Sequence, residues 1–318
     1  MTRAFIFPGQ GSQAVGMGKV LADAFAPARE VFQEVDEALS QNLSRLMWEG
    51  TAADLVLTEN AQPAIMAASL AVIRVLEREA GLALARHARL VAGHSLGEYS
   101  ALCAAGAFTL SDAARLLKTR GRAMQEAVPV GEGAMFALIG ADVELAEAAA
   151  QEAVAKAVES NPVCVVANDN APGQVVISGL KATVERAGEI AKAKGVKRAV
   201  ALPVSAPFHC PLMKPAADKM AEALAAVTIR PPAAPVVANV TAAEASEPEA
   251  IRRLLVEQVT SRVRWRESVL GFRGLGVATT VEAGGNKVLT GMIKRIVKEL
   301  ANVTLDSPAD VEAFARTL

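Results

Sequence analysis

The segment 90–99, with the sequence LVAGHSLGEY, most constrains what this chain can fold into. It begins with a short apolar run, contains the pattern Gly93-x-Ser95-x-Gly97, and continues into the Ala-rich segment 99–105. A serine between two glycines, at the end of a strand and the start of a helix, is typical of a nucleophile elbow that exposes the serine hydroxyl. The N-terminus of the following helix would stabilise a negative oxygen beside that hydroxyl. The alternative is a glycine-rich turn in which Ser95 has no chemical role.

The composition is that of a globular protein and narrows the classes of function. The 318 residues are 52% hydrophobic and 21% charged, and a net charge of −1 does not indicate nucleic acid as a partner. Cys103, Cys164 and Cys210 have no C-x-x-C spacing, so neither a metal site nor a disulfide framework is expected. With no signal peptide and no apolar run of about 18 residues that would span a membrane, we expect a cytoplasmic protein without membrane association.

The order of the predicted elements indicates an α/β protein with two domains. In the outer segments strands alternate with helices, which predicts a mostly parallel sheet covered on both faces. Between them, four strands and two helices follow the ferredoxin-like order β-α-β-β-α-β, at 134–139, 143–158, 163–167, 174–178, 183–194 and 198–202. We therefore predict a large domain formed by residues 1–127 and 204–318, with a small domain of residues 128–203 inserted into it.

A serine hydroxyl needs a general base to become a nucleophile at neutral pH, and the chain contains three histidines. His87 lies in an Ala/Arg-rich segment and is expected to face solvent. His94 is adjacent to Ser95, so its side chain should diverge from the serine at the turn. His209 is held between prolines in a rigid, extended segment where the small domain rejoins the large one. We predict His209 as the base; the alternative is a buried histidine whose ring is satisfied by backbone groups.

No acidic third member of a catalytic triad is obvious in the sequence. The order Ser, Asp/Glu, His found in hydrolases favours Asp169, but this residue falls in a predicted turn over 168–173. A Ser–His pair oriented by backbone carbonyls is an equally good interpretation. For the oxyanion we expect the backbone N–H groups of Leu96 and of Gln10, which lies between two glycines after the strand predicted at 3–7.

Another polar candidate precedes a long apolar helix predicted over 63–80. Gln62 would lie at the N-terminus of that helix, where its side chain is either a simple cap or part of a site. A further helix, predicted over 110–127, carries several basic residues, Arg120 among them. A basic helix face is usually solvated, so the helix alone does not assign a function to any of them.

Five motifs together resemble the malonyl-CoA:acyl carrier protein transacylase family nearly end to end. They are FPGQGSQ at 7–13, QPA at 62–64, GHSLGEY at 93–99, RGRAMQ at 120–125 and PFH at 207–209. The resemblance implies a hydrolase-like large domain with an inserted ferredoxin-like domain, in agreement with the element order. Two segments depart from the family pattern: Ser-Arg at 261–262 stands where Asn-Pro is common, and GGNK at 284–287 where Gly-Pro-Gly-Lys is usual.

The same resemblance implies a role for each of seven residues. They are a catalytic pair, Ser95 and His209; an oxyanion hole from the backbone of Gln10 and Leu96; a carboxylate-binding Arg120; a site-lining Gln62; and a backbone carbonyl of Gln258 that orients the histidine. For Arg120 the alternative is a salt bridge that braces its helix.

The resemblance also implies the reaction and its partners. A malonyl group would pass from malonyl-CoA to the phosphopantetheine thiol of acyl carrier protein, through a malonyl-Ser95 intermediate, to supply fatty acid synthesis. No cofactor is expected, because the CoA thioester is a substrate. The alternatives are a polyketide-type acyltransferase with another acyl choice, a serine thioesterase or esterase, and a non-enzymatic scaffold that docks the carrier. We expect a monomer, with the acidic carrier docking on basic residues of 192–198 and 287–298.

Overall fold

The structure is a computed structural model that describes residues 2–318. Within these residues the ten strands are β1 Arg3–Phe7, β2 Leu90–Gly93, β3 Gly133–Ile139, β4 Cys164–Ala171, β5 Gln174–Leu180, β6 Arg198–Ala201, β7 Val236–Val237, β8 Glu244–Ala245, β9 Thr279–Ala283 and β10 Ala301–Leu305. The fifteen α-helices of the same residues are α1 Lys19–Ala24, α2 Ala26–Leu39, α3 Leu43–Glu49, α4 Ala52–Val56, α5 Thr58–Ala80, α6 Leu84–His87, α7 Gly97–Ala104, α8 Leu110–Glu126, α9 Val143–Ala155, α10 Lys181–Ala193, α11 Lys214–Ala225, α12 Pro248–Gln258, α13 Trp265–Gly274, α14 Val288–Ile296 and α15 Pro308–Ala315. None of these helices is long and apolar enough to cross a bilayer.

The larger sheet is mostly parallel and has the strand order β10-β9-β1-β2-β7-β8. Its first five strands pair in parallel, and the short β8 pairs antiparallel with β7 at the edge. All five residues of β1 are buried, because helices cover both faces of the sheet. Parallel strands end at one edge, so the segments that follow β1, β2 and β7 lie together there.

The smaller sheet is antiparallel and has the order β4-β5-β3-β6, with helices α9 and α10 as its connections. This is the strand order of a ferredoxin-like β-α-β-β-α-β unit. The sheet and its helices enclose a separate hydrophobic core that includes Leu138, Ala146, Ile177 and Val184. The predicted fold class, an α/β protein with a mostly parallel sheet and a small ferredoxin-like unit, is confirmed; the domain boundaries stay a prediction.

Helix α5 begins five residues earlier than the sequence predicted, so Gln62 lies inside the helix and not at its N-terminus. Pro63 has no N–H and therefore removes one helical hydrogen bond, which favoured a helix start at that point. The residues before it are nevertheless buried, and packing of a helical face outweighs the loss of one bond. Gln62 is consequently only 1% exposed.

The Asn/Asp-rich segment 168–171 is the end of strand β4, whereas the sequence predicted a turn over 168–173. The hairpin turn is confined to Pro172 and Gly173, and Gly173 has a φ of +70°. Strand β4 shows register irregularities on β5 at this point, and Asn168 also forms a parallel bridge with Val263 of the other sheet's connections. Pairing on both sides explains why polar residues typical of turns are extended here.

Candidate active site

The turn between β2 and α7 has the geometry of a nucleophile elbow. Ser95 has a φ of +53°, in the left-handed region that a residue with a side chain rarely adopts. A Cβ on Gly93 would lie 1.9 Å from the carbonyl group of Gly97, and one on Gly97 would lie 2.2 Å from the carbonyl oxygen of Phe7. Both glycines are therefore required for the close approach of β1, β2 and α7 that exposes the serine.

Ser95 and His209 are in direct contact. The Oγ of Ser95 lies 2.8 Å from Nε2 of His209, and Nδ1 of that ring lies 2.9 Å from the carbonyl oxygen of Gln258. A carbonyl only accepts, so Nδ1 carries a proton and donates it, which leaves Nε2 as the acceptor for the serine hydroxyl. The ring is 3% exposed; burial, together with the positive charge of Arg120, lowers the pKa of His209 to about 3. It is therefore neutral, and able to take a proton, at neutral pH.

The other two histidines lie away from the serine hydroxyl. His94 turns to the small sheet, with its Nε2 2.8 Å from Oδ1 of Asn170, and burial lowers its pKa. His87 is half-buried, although solvent exposure was predicted, because its Nδ1 accepts a hydrogen bond from the backbone N–H of Ala83. Neither ring competes with His209 for contact with Ser95.

Asp169 is not brought to the histidine. Its carboxylate is fully buried and accepts from Nε of Arg266, with both oxygens at 2.9 Å. In the part of the chain that the structure describes, no carboxylate is hydrogen-bonded to His209. Of the two alternatives left open by the sequence, the backbone carbonyl of Gln258 is the one that contacts the ring.

Arg120 of α8 lies beside the pair and is 1% exposed. Its Nη1 donates to Oε1 of Gln62 at 2.8 Å, and its Nη2 donates to Oε1 of Gln258 at 3.0 Å and to Oγ of Ser95 at 3.1 Å. The guanidinium carbon lies 5.7 Å from the centre of the Tyr99 ring, and Nε has no hydrogen-bond partner among the residues that the structure describes. A buried guanidinium whose acceptors are all uncharged can bind a carboxylate through two parallel hydrogen bonds.

Two backbone N–H groups beside Ser95 are free to bind an oxyanion. Gln10 and Leu96 both line the same cavity as the serine, and neither backbone N–H donates to any group among residues 2–318. Gln10 is held in place through its side chain, whose Nε2 donates to Oγ1 of Thr58 at 3.3 Å. Two unpartnered donors, one at the start of α7 and one in the turn after β1, can stabilise the oxyanion of a tetrahedral intermediate.

The cavity that contains these groups has a volume of about 240 Å³ and lies between the two sheets. Its walls come from both parts of the fold; the small sheet contributes Met135, Asn168, Asn170 and Val176, and helix α14 contributes Val288, Leu289 and Met292. No group of three or more potential metal ligands occurs in the described chain, residues 2–318. All seven residues named by the resemblance lie in this cavity or in hydrogen-bonding contact with residues that line it.

Sequence reasoning missed two polar residues that hold the elbow. The Oδ1 of Asn239 accepts from the backbone N–H of Ser95 at 2.7 Å, and its Nδ2 donates to the carbonyl oxygen of Gly93 at 2.7 Å. Oε2 of Glu98 accepts from the backbone N–H of Asn239 and from Nε2 of Gln258. Burial raises the pKa of Glu98 to about 7. An acidic residue in the first turn after the elbow, and an asparagine at the end of a strand, were the available signals.

Comparison with known proteins identifies the class first. The sequence model of the family described as "Acyl transferase domain" matches residues 4–312, so the chain belongs to the acyl transferase class. A malonyl CoA-acyl carrier protein transacylase of Escherichia coli K12 is 47% identical over 98% of this chain and 97% of its own length.

Solved structures narrow the class. An acyl-carrier-protein S-malonyltransferase from Bartonella henselae is 53% identical, covers 100% of this chain and 99% of its own, and superposes with a TM-score of 0.96. A malonyl-transacylase in complex with a type II PKS acyl-carrier protein is 44% identical over the full length of both chains, with a TM-score of 0.94. The chain belongs to the malonyl CoA-acyl carrier protein transacylase family.

Proposed function

We propose that this chain transfers a malonyl group from malonyl-CoA to the phosphopantetheine thiol of acyl carrier protein, through a malonyl-Ser95 intermediate, in support of fatty acid synthesis. Its family membership supports this choice of donor and acceptor. The observation that carries the proposal is the buried guanidinium of Arg120, which lies 3.1 Å from the same serine oxygen that contacts His209. An acyl group that ends in a carboxylate fits a site built in this way.

In the first half-reaction Ser95 attacks the thioester carbonyl of malonyl-CoA. Nε2 of His209 takes the hydroxyl proton as the C–O bond forms, and the negative oxygen is stabilised by the N–H groups of Gln10 and Leu96. Collapse of the tetrahedral intermediate breaks the C–S bond, and His209 returns the proton to the CoA sulfur. The products are free CoA and the malonyl ester of Ser95.

The second half-reaction repeats these steps with the carrier thiol as nucleophile. His209 takes the thiol proton, the sulfur attacks the ester carbonyl, and the same N–H groups stabilise the oxyanion. The ester C–O bond then breaks and the proton returns to Oγ of Ser95. The thioester is already an activated acyl donor, so we propose that the reaction needs no cofactor.

Arg120 would bind the far end of the malonyl group. A carboxylate buried without a partner is costly, and the guanidinium offers the two parallel donors that match its oxygens. Gln62 and Gln258 orient the guanidinium from two sides through their side-chain oxygens. Gln258 would also orient His209 through its backbone carbonyl, which connects acyl recognition to the base.

We also propose the organisation of the chain that the sequence suggested. Residues 128–203 would form an inserted domain, because β3 to β6, α9 and α10 enclose a hydrophobic core of their own. The working form would be a monomer, since nucleophile, base, oxyanion donors and carboxylate-binding arginine all come from one chain.

The intact mass of the protein after incubation with malonyl-CoA tests the proposal. We expect an increase equal to one malonyl group, and its disappearance when holo-acyl carrier protein is added. Ser95→Ala should give no adduct, because the other groups only assist the attack of this oxygen. Release of free malonate without carrier would instead identify a hydrolase, and the absence of an adduct on the unaltered chain would identify a scaffold.

One relative favours a second candidate for the acceptor. The malonyl-transacylase solved with a type II PKS acyl-carrier protein shares 44% identity with this chain, so a polyketide carrier is a reasonable alternative. Rates of transfer from malonyl-enzyme to a fatty acid carrier and to a polyketide carrier, measured side by side, separate the two. A faster reaction with the fatty acid carrier is expected.

A further inference from the structure

Glu98 has a buried carboxyl group behind the nucleophile, and the reaction steps above give this carboxyl group no role. It is 1% exposed and lies in the first turn of α7, three residues after Ser95. Its Oε2 accepts two hydrogen bonds, from the backbone N–H of Asn239 at 3.0 Å and from Nε2 of Gln258 at 2.8 Å. These two residues come from separate parts of the chain, after β7 and at the end of α12.

The two partners of Glu98 hold the peptide units of the nucleophile from both sides. Asn239 accepts from the N–H of Ser95 at 2.7 Å, and Gln258 donates to the carbonyl oxygen of Ser95 at 3.0 Å. Ser95 has a strained, left-handed φ of +53°, which persists only where its surroundings fix it. In the part of the chain that the structure describes, Glu98 is the one side chain that is hydrogen-bonded to both Asn239 and Gln258.

Gln258 extends the same network to the other reacting groups. Its backbone carbonyl accepts from Nδ1 of His209 at 2.9 Å, and its Oε1 accepts from Nη2 of Arg120 at 3.0 Å. A displacement of Gln258 would therefore move the base and the carboxylate-binding group together. The hydrogen bond from Gln258 to Glu98 fixes the amide in the orientation that serves all of these contacts.

We propose that Glu98 is a positioning residue, which holds Asn239 and Gln258 so that the Ser95 hydroxyl, the His209 ring and the Arg120 guanidinium meet at one point. The inference rests on the proposed roles of Ser95 and His209 and is independent of the acyl group that the enzyme transfers. Misplacement of reacting groups by about 1 Å can reduce a rate about 10²-fold. Loss of the carboxyl should thus slow the chemistry at Ser95, although Glu98 itself does not touch the substrate.

The test uses a neutral reagent that needs Ser95 and His209 and no carboxylate-binding group. Phenylmethylsulfonyl fluoride sulfonylates an activated serine with loss of fluoride, and intact mass follows the reaction. Glu98→Ala should slow this labelling about 10²-fold and slow acylation by malonyl-CoA to a similar degree. Glu98→Gln has an amide oxygen that accepts the same two hydrogen bonds, so it should stay within about 5-fold of the unaltered rate.

Ser100→Ala is the matched control. Ser100 lies on the same helix and is equally buried, but its Oγ has no hydrogen-bond partner within residues 2–318. This variant should be sulfonylated at the unaltered rate. The melting temperatures of the Glu98→Ala, Glu98→Gln and Ser100→Ala proteins are compared to show that each is folded. Unchanged labelling of a folded Glu98→Ala protein would overturn the proposal, as would a Glu98→Gln protein that is as slow as Glu98→Ala.

A second variant covers the case in which Glu98→Ala does not fold. Asn239→Ala removes the contacts with the Ser95 N–H and the Gly93 carbonyl while Glu98 is kept. The network predicts a similar loss of sulfonylation for this protein, and an unchanged rate would overturn it. If the unaltered enzyme is sulfonylated but forms no malonyl adduct, the proposed function fails while the positioning role is still tested.

Discussion

Arg120 is a buried cation whose hydrogen-bond acceptors are all uncharged, and burial lowers its pKa relative to a solvated guanidinium. The nearest acidic influence is Glu98, whose own pKa of about 7 leaves it only partly ionised at neutral pH. Such a site favours a ligand that supplies a full negative charge. The carboxylate of a malonyl group meets that requirement, and an acetyl group does not.

Substitution of Arg120 should exchange one acyl preference for another. Arg120→Ala should lose malonyl transfer by about 10²-fold or more, since each charge-assisted hydrogen bond contributes about 1.5–3 kcal/mol. Acetyl transfer should be kept or improved, because the variant has no buried cation that an acetyl group would leave without a charged partner. Arg120→Lys should remain impaired with malonyl-CoA, because an ammonium lacks two parallel donors. Rates of acylation by malonyl-CoA and acetyl-CoA are the measurement.

The matched control for this prediction is Arg122→Ala. Arg122 lies on the same helix, but its side chain is 61% exposed and pairs with Glu59 at 3.5 Å. It should leave both rates unchanged. A parallel loss of malonyl and acetyl transfer in Arg120→Ala, with a lower melting temperature, would assign Arg120 the helix-bracing role instead.

The pH dependence of Ser95 reactivity should carry the signature of a buried neutral base. With a pKa of about 3, His209 keeps its ring neutral as the pH falls from 8 to 5, whereas a solvated histidine protonates near pH 6.5. Sulfonylation should therefore be nearly independent of pH across this window. The sulfonylation rate is best measured in Glu98→Gln, because Glu98 has a pKa of about 7 and its own titration would fall within this pH range. A loss of rate with a midpoint near pH 6.5 would contradict the prediction.

The lowered pKa of His209 also makes the free energy of unfolding depend on pH, in the opposite direction to that expected for a salt-bridged histidine. The unfolded chain protonates His209 below about pH 6.5 while the folded chain does not. The unfolded state therefore binds more protons between about 6.5 and 3, and His209 reduces stability progressively as the pH falls through that window.

Among the elements, those decided by local pattern were the best predicted. Strand β1 has the predicted bounds, because five consecutive residues are buried on both faces of the sheet. The elbow was recognisable because close backbone contacts at Gly93 and Gly97 exclude any side chain. The predicted start of α5 was wrong, because Pro63 is a signal within the local sequence, whereas the burial of the segment 58–62 depends on packing against distant residues.

The pairing of α8 with α5 shows why parts of the site could not be predicted from the residues alone. A Cβ on Gly121 would lie 2.6 Å from the carbonyl oxygen of Thr58, so the two helices touch at this glycine. That contact brings Arg120 and Gln62 within hydrogen-bonding distance across 58 positions of sequence. The roles of Asn239 and Glu98 depend in the same way on long-range packing at the end of the parallel sheet.

At the scale of the whole molecule, the small sheet is joined to the large one along strand β4. Asn168 bridges Val263, Asp169 pairs with Arg266, and Asn170 contacts His94. These contacts are consecutive on one strand and border the cavity.

Two lysines at the end of α10 and Lys294 of α14, from the two basic segments predicted for carrier docking, differ in their ion pairs. Lys192 pairs with Glu189, and Lys194 pairs with Glu152. Lys294 of α14 is exposed and has no ion pair among the described residues, and Met292 of the same helix lines the cavity. An acidic carrier would therefore gain more from α14 than from α10.

Transfer to the carrier should weaken with salt more strongly than acylation by malonyl-CoA, since attraction between exposed charges is screened within about 8–10 Å at physiological ionic strength. Lys294→Glu should lower the rate of the carrier half-reaction and leave the malonyl-CoA half-reaction close to its original value. Lys192→Glu is the matched charge reversal on α10 and should have the smaller effect. Equal salt dependence of both half-reactions, or equal effects of both reversals, would contradict docking on α14.

In the described part of the chain Arg120 has no charged hydrogen-bond partner, and this bears on how the protein can change. Burial of the guanidinium costs desolvation free energy that three uncharged acceptors only partly offset, so the acyl discrimination proposed for Arg120 would reduce the stability of the fold. Selection for heat resistance alone would therefore act against the acyl discrimination that we propose for Arg120.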